Sequence, residues 1–480
     1  MFKDAIAAHA RRAPDARAIV TPAGAISYVG LDRAIDALRH RLGALEPPPG
    51  AVIGLWIADP IAYWAAALAL DHLGLISFSF FGAPLDIQAA RLVRPWKVLT
   101  DRAERPPGEH FLFVPPQWLG EPAPPAPLRP PAPDEPVRIL LSSGTTGVAK
   151  QILRTRGMLL DRARDLADHD LPENVRAICL FRPYTGLGST LPLAVFLKGG
   201  ALITDERQAW DPALWDHQPN FAALTPVLLR SVLLSMPDGR GPDPQLTVLV
   251  GGAATPRALQ RAALERLTPN LIVRYGASET GMIAQTSTDV LDRYETAAGR
   301  VLADAEVEIV DAQDQPLGPD QVGAIRIRTP SMVQGYRNDP ERTRQHFRDG
   351  WFYPGDQGRL TTDRVLVLEG RASEVMNFGG SKIAPDDVER AALADPGVAD
   401  AAAFALNDAH GLPQLWVAVT PGPGYAEPAL QARLHERLAI RPIRIAVLRK
   451  IPRNASGKIQ RDLLKTLVTA RGGRRGGARR

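Results

Sequence analysis

Between Ile139 and Lys150 the chain reads Ile-Leu-Leu-Ser-Ser-Gly-Thr-Thr-Gly-Val-Ala-Lys. An apolar run from Val137 to Leu141 stops at a cluster of small, hydroxylated and glycine residues, and the cluster closes on a lysine. The pattern calls for a strand that delivers a tight loop. Such a loop turns backbone N–H groups and hydroxyls toward one point, which suits a polyphosphate. Gly144 and Gly147 permit an approach that a Cβ would block. In the common phosphate loop a lysine directly follows glycine, whereas here Lys150 lies three residues after Gly147. A surface turn rich in Ser, Thr and Gly would have the same composition, so the loop acquires meaning from what surrounds it.

The surroundings alternate. Residues 4–12 and 32–43 read as amphipathic helices, with short strands at 18–20 and 25–28 about the turn Pro22-Ala23-Gly24. Val52 to Trp56 reads as a buried strand, Ile61 to Leu73 as a largely apolar helix and Leu75 to Phe80 as another strand. After the loop we expect a helix at 158–169, a strand at 177–180, a loop at 182–188, a helix at 191–197 and strands at 201–204, 246–250 and 272–274. Residues 221–234 read as helical after Pro226. This alternation predicts an α/β layer architecture. Strands at 307–310, 324–328 and 365–368 suggest a smaller β-rich lobe. Strands at 398–406, 415–420 and 443–448, with helices at 385–393 and 427–438, describe a small α+β unit.

A chain of 480 residues exceeds one ordinary core. The fold class expected is α/β. A large multi-lobed N-terminal domain would cover residues 1–370, a small α+β C-terminal domain 371–467, and a disordered Arg/Gly tail 468–480. The proline-dense stretch 115–136 should run extended over the surface.

Composition excludes several classes. With 45% hydrophobic and 23% charged residues the chain reads as a soluble globular protein. Asp71 and His72 interrupt the apolar run 61–81, so no membrane span is expected. Met1-Phe2-Lys3-Asp4 opens a charged amphipathic helix and not a secretory signal. Cys179 is the only cysteine, which fits a reducing cytoplasm. The net charge of +5 comes from the tail: without the five arginines of residues 471–480, basic and acidic residues are equal at 52. Nucleic acid is therefore not expected as a partner, contacts of the Arg/Gly tail aside. Lysine is scarce, and three of the eight, Lys150, Lys382 and Lys458, fall in motif segments.

Four further motifs follow the loop in order: Tyr275-Gly276-Ala277-Ser278-Glu279-Thr280, Tyr353-Pro354-Gly355-Asp356, Gly370-Arg371, and Pro452-Arg453-Asn454-Ala455-Ser456-Gly457-Lys458. Together they make the chain resemble the adenylate-forming superfamily of acyl-CoA synthetases, adenylation domains of peptide synthetases and luciferases, from about Ile19 to Leu467. The resemblance implies that Ser142, Ser143, Gly144, Thr145, Thr146, Gly147 and Lys150 hold the β- and γ-phosphates of ATP, with Thr146 also in a catalytic role. It implies that Gly252, Ala253 and Ala254 pass beside adenine and the acyl group, and that Tyr275, with Gly276 and Ser278, lies at the adenine. It further implies that Glu279 holds Mg2+, Asp356 takes the ribose hydroxyls, Arg371 stands at a hinge and Gly380 lines the path of a pantetheine arm. These roles suit the residue types: a tyrosine face offers stacking area, and a carboxylate is a hard oxygen ligand for magnesium on phosphate.

The chemistry implied is acid activation. A carboxylate is anionic and has a poor leaving group, and transfer to AMP supplies a good one. Bringing a carboxylate to the α-phosphate sets two anions against each other, so the transition state needs a cation between them. Lys458, on a glycine-flanked loop, is the cation implied, and with Glu279 and Thr146 it makes up the catalytic set that the resemblance implies. A turn of the C-terminal domain would then withdraw it and admit a thiol. The leading acceptor is CoA; the alternatives are the phosphopantetheine of a carrier protein, or no catalysis at all in an interaction protein that binds nucleotide. Adenylation domains for α-amino acids carry an aspartate where this chain has Arg182-Pro183-Tyr184-Thr185-Gly186, so an amino-acid substrate is disfavoured. Pocket walls are expected at 184–188, 225–228, 251–253 and 277–282, with no obvious cation, which points to an aryl or medium-chain monocarboxylic acid. The chain departs from the family pattern at Ala149 and Gln151 around the loop lysine, at Ser373 in the hinge, and at Asn377, where a lysine is common.

Overall fold

The computed structural model describes the chain apart from residues 1, 81–86, 106–107, 124–131, 143–149, 205–211, 237–240, 253–254, 256, 288–289, 291–292, 295–296, 372–375, 379–380, 384, 409–410, 439–441, 453–458, 460 and 476–480. Two sheets organise it. In the first, Val52–Trp56, buried along its whole length, pairs in parallel with Ile76–Ser79 and Lys97–Thr100. Phe111–Phe113 extends one side, and Pro136–Ser142 and Lys150–Thr155 extend the other, to give six strands. The last pair alone is antiparallel, with Ser142 opposite Lys150. The glycine/threonine loop is thus the connection of a hairpin at a sheet edge.

The second sheet has 15 strands. Its centre is parallel: Asn270–Ala277, Thr247–Val250, Phe221–Leu224, Arg176–Cys179, Ala201–Ile203 and Arg17–Thr21 run side by side. Beyond Ala277 it becomes antiparallel through Gly281–Thr286, Ala297–Val301, Val365–Arg371 and Asp356–Leu360. The changeover falls on the turn that carries Ser278 and Glu279. Parallel strands need crossover helices, whereas antiparallel strands need only turns. The predicted α/β body and β-rich lobe are therefore two regimes of one sheet.

Helices Pro60–Leu73 and Gly186–Lys198 are apolar on almost every side, so they suit a layer covered on both faces. They lie in one core with residues of both sheets, from Ile53 and Leu55 to Ala177 and Leu249. The second helix starts at Gly186, well before the expected 191. Thr185 caps it by accepting a bond from the Gly188 N–H at 3.1 Å. A Cβ on Gly188 would lie 2.1 Å from the Arg182 carbonyl oxygen, so this glycine serves close approach and does not break the helix. Tyr28, read as the end of a strand, is instead the first residue of Tyr28–Gly43, capped by Ser27. The proline-dense stretch contains a 3-10 turn, Pro116–Leu119. No helix among the described residues is long and apolar enough to cross a membrane.

After Met376 the chain builds cores of its own around Val398–Asn407, Pro413–Pro421 and Ile443–Val447. One boundary needs correction. Helix Arg461–Arg475 runs beyond residue 467, where a disordered tail was expected to begin. Leu464 and Val468, one turn apart, are buried with Phe404 and Ala418, and this holds the helix to the sheet.

Candidate functional site

The site is built around the turn between Asn270–Ala277 and Gly281–Thr286. A bulge at Tyr275/Gly276 re-aims the strand end. Glycine is required there, since a Cβ on Gly276 would lie 2.3 Å from the Gly281 carbonyl oxygen. The Tyr275 hydroxyl donates to Asp356 Oδ2 at 2.6 Å. Asp356 opens its own strand and stands opposite Arg371 in the ladder. Three residues implicated by separate motifs are therefore brought together, two by a side-chain bond and the third by register.

At the other end of the turn Glu279 is 7% exposed, and its Oε1 accepts from the Tyr336 hydroxyl at 3.0 Å. The Lys150 ammonium donates to that same hydroxyl at 3.3 Å and stands 4.8 Å above the Tyr336 ring. It also meets His346 Nε2 at 2.9 Å. Burial and the Glu279 carboxylate raise the Tyr336 phenol far above its ordinary range, so it remains a donor to Glu279. His346 Nδ1 lies 2.9 Å from the Tyr353 carbonyl oxygen, which can only accept. The neutral ring therefore carries its hydrogen on Nδ1, and Nε2 accepts from Lys150. Burial, then Lys150, push the His346 pKa below the ordinary 6.5.

This shift has a sign that can be tested. The unfolded chain takes up a proton at His346 as pH falls through 6.5, while the folded chain resists. Stability therefore falls with pH below that value. His346→Gln should lose less stability than the wild type between pH 7.5 and pH 5.5, measured as the shift in urea midpoint.

Two arginines hold the turn from behind. Arg154 on Lys150–Thr155 donates to the Ser278 carbonyl at 2.9 Å, and Arg162 on Arg156–His169 donates to the same oxygen at 3.1 Å. Arg162 also reaches the Glu279 carbonyl at 3.1 Å, the Ser331 carbonyl at 2.7 Å and the Ser331 hydroxyl at 3.1 Å. Arg154, 1% exposed, bonds Ser189 Oγ at 3.2 Å and Thr190 Oγ1 at 3.3 Å. Burial pulls its pKa well down, Arg162 and Arg138 add to this, and Glu279 opposes it. Arg154 also touches the Gly186 carbonyl, so a cation stands against two segments expected to line the acid pocket. The sequence reading counted none.

Of the residues singled out in the sequence, Tyr275, Gly276, Ser278 and Glu279 lie on one strand and its turn; Asp356, bonded to Tyr275, and Arg371 opposite it come from strands further along the same sheet, and Lys150, on the other sheet, reaches Glu279 through Tyr336. Gly252 sits on a left-handed turn, with φ of 87°, and its carbonyl accepts from Asn377 Nδ2 at 3.1 Å. That bond lays the segment after the expected hinge against the turn. Ser143, Gly144, Thr145, Thr146, Gly147, Ala253, Ala254, Ser373, Gly380 and Lys458 lie outside the described residues, as does the Ser142 side chain. The sequence reading missed Tyr336, His346, Arg154 and Arg162. Arg154 left a signal: it shares a strand face with Lys150 and buried Ile152, where a period of two predicts an apolar residue. A magnesium ion that arrives on phosphate oxygens asks one or two carboxylates of the protein, and Glu279 fits that demand.

Residues 84–337 match the model of the AMP-binding enzyme family. The chain is 31% identical to 2-succinylbenzoate–CoA ligase of Geobacillus kaustophilus over 348 residues, 70% of each chain. It is 29% identical to 3-hydroxybenzoate–CoA ligase of an Aromatoleum species over 347 residues, 68% of this chain and 66% of the relative. Among solved structures, o-succinylbenzoate CoA synthetase of Bacillus subtilis with a product analogue superposes with a TM-score of 0.81 at 20% identity, over 96% of this chain and 97% of that one. The chain belongs to the AMP-binding, adenylate-forming enzymes.

Proposed function

We propose that this chain is an AMP-forming acid–thiol ligase that activates a small carboxylic acid with ATP and passes the acyl or aryl group to CoA. In the first step a carboxylate oxygen bonds to the α-phosphorus and the bond to the pyrophosphate oxygen breaks. In the second the thiolate sulfur attacks the acyl carbon and AMP leaves with the electron pair.

The observation that carries the reading is the convergence on one strand and its turn. Tyr275, bonded to Asp356, supports a base-and-ribose pole. Glu279, joined through Tyr336 to Lys150, supports a polyphosphate pole. A nucleoside triphosphate has both ends to satisfy. Magnesium, when bound, would neutralise charge on the phosphates, and Glu279 would hold it. Lys458 would supply the cation of the first step, and rotation of residues 371–467 about Arg371 would exchange it for the thiol. Both relatives described above are named as CoA ligases of aromatic acids, which favours CoA over a carrier protein and an aryl acid over other classes. A cytoplasmic location belongs to the same reading.

The test is ATP–pyrophosphate exchange over a panel of aryl, short-chain, medium-chain and amino acids, run without thiol. Exchange with aryl acids, followed by thioester on addition of CoA, is the expected result. Thioester formed on a phosphopantetheinylated carrier but not on CoA would change the acceptor. No exchange despite measurable ATP binding would favour a protein that binds nucleotide without catalysis.

A further inference from the structure

We propose that His346 is a positioning residue that pre-sets Lys150 for the polyphosphate of ATP; the proposal rests on the nucleotide reading above. His346 is the last residue of the helix Pro340–His346 and belongs to none of the motifs singled out in the sequence, although it lies seven residues before Tyr353. Its ring is held from three sides. Nδ1–H donates to the Tyr353 carbonyl at 2.9 Å, the ring stacks on Phe352 with centroids 6.3 Å apart, and Tyr336 meets it edge-on at 5.8 Å. The ring cannot turn without giving up the Tyr353 bond, so the Nε2 lone pair has a fixed direction, toward the Lys150 ammonium at 2.9 Å.

The lysine stem is long and its conformational freedom is costly to remove. Lys150 is the first residue of the strand that follows the glycine/threonine segment in the chain. His346 and Tyr336 are neutral acceptors. They orient the ammonium without cancelling its charge, as a carboxylate in contact would. The ordering cost is met by the fold before nucleotide arrives, which is the general source of pre-organised affinity. Tyr336 and His346 both contact the ammonium, and the fixed His346 lone pair adds a direction to the contact with Tyr336. His346 is called a positioning residue because it acts through Lys150.

The test is calorimetric titration of ATP with magnesium, and of AMP, without any acid. His346→Leu removes the acceptor at similar volume. His346→Gln restores an acceptor for Lys150 and a donor for the Tyr353 carbonyl. Lys150→Met and the double variant Lys150→Met/His346→Leu complete a cycle. We expect His346→Leu to weaken ATP about tenfold, the scale of one charge-assisted hydrogen bond. AMP, which lacks the outer phosphates, should change less than about twofold by the same argument. His346→Gln should recover most of the loss, and the double variant should match Lys150→Met. Equal weakening of ATP and AMP, or a full additional loss on top of Lys150→Met, would make the role one of packing and overturn the proposal. ATP binding unchanged or tightened in His346→Leu would also overturn it. Thermal unfolding of each variant guards against global damage, and His346→Gln keeps the test alive if the leucine variant is unstable. A wild type that binds no ATP would remove the nucleotide reading itself, and this proposal with it.

Discussion

Lys458→Ala should lower ATP–pyrophosphate exchange by about two to three orders of magnitude, the usual result of deleting one pre-organised charge aimed at a transition state. The first step forces a carboxylate onto an α-phosphate, and the charge between them has no substitute in the solvent once the site is closed. The second step has no such need, because the thiolate attacks a carbon whose leaving group is already activated. Transfer from a chemically prepared adenylate to CoA should therefore stay within a few-fold of wild type, a factor worth less than about 1 kcal/mol. Lys458 itself lies outside the described residues, but the ends of its loop are anchored. Ile451 before it is fully buried, and Leu464 after it is buried in the same core. Lys458→Arg should recover part of the rate and not all of it, since a planar guanidinium does not present a compact point charge. Equal loss in both half-reactions would show that the lysine shapes the C-terminal unit and does not act on the transition state.

The parts legible in the sequence are those that depend on local pattern. Val52–Trp56 is a run of apolar residues wherever it is placed, and Pro60–Leu73 is apolar all round, so each announced both its element and its burial. Tyr275 and Glu279 were singled out because they belong to a short motif, and the structure sets one against Asp356 and the other against Tyr336. What could not be read is pairing across distance. Tyr336 meets Glu279 from 57 residues away and His346 meets Lys150 from 196 away. Neither tyrosine nor histidine carries a local mark that distinguishes a site residue from a surface one. The arginines failed for another reason. Arginine is mostly an exposed residue, so Arg162 on an amphipathic helix reads as solvent-facing until the turn with Glu279 is folded over it. The same blindness concealed the cation beside the expected acid pocket. Glycine misled in the opposite direction: at Gly188 it marks close packing and not a break.

Arg162→Met should cost about 3 kcal/mol of stability, within the range for removing one partner of a buried charged cluster. The estimate weighs two opposing effects. Removing a buried guanidinium relieves a desolvation penalty, visible in a pKa pulled down to about 10, and this alone would favour methionine. Against it stand four bonds, to the carbonyls of Ser278, Glu279 and Ser331 and to the Ser331 hydroxyl. Each bond to a charged donor contributes about 1.5–3 kcal/mol. Ser278 retains Arg154, and the Glu279 carbonyl retains the Val333 N–H at 3.0 Å, so the loss is smaller than four full bonds. The buried Glu279 carboxylate is the decisive factor, because it would lose one of the cations that offset it. The turn should then loosen, and a shift of about 1 Å in a substrate-positioning group is enough to cost about 10²-fold in rate. Urea unfolding reads the stability, and the magnesium dependence of ATP–pyrophosphate exchange reads the turn. Arg162→Lys is the discriminating variant. It keeps the charge but cannot span three carbonyls, so it should restore more of the magnesium dependence than of the stability. If Arg162→Met retained wild-type magnesium dependence while losing stability, the arginine would be a brace between Arg156–His169 and the Ser331 segment, and Glu279 would owe its place to Tyr336 and Val333 alone.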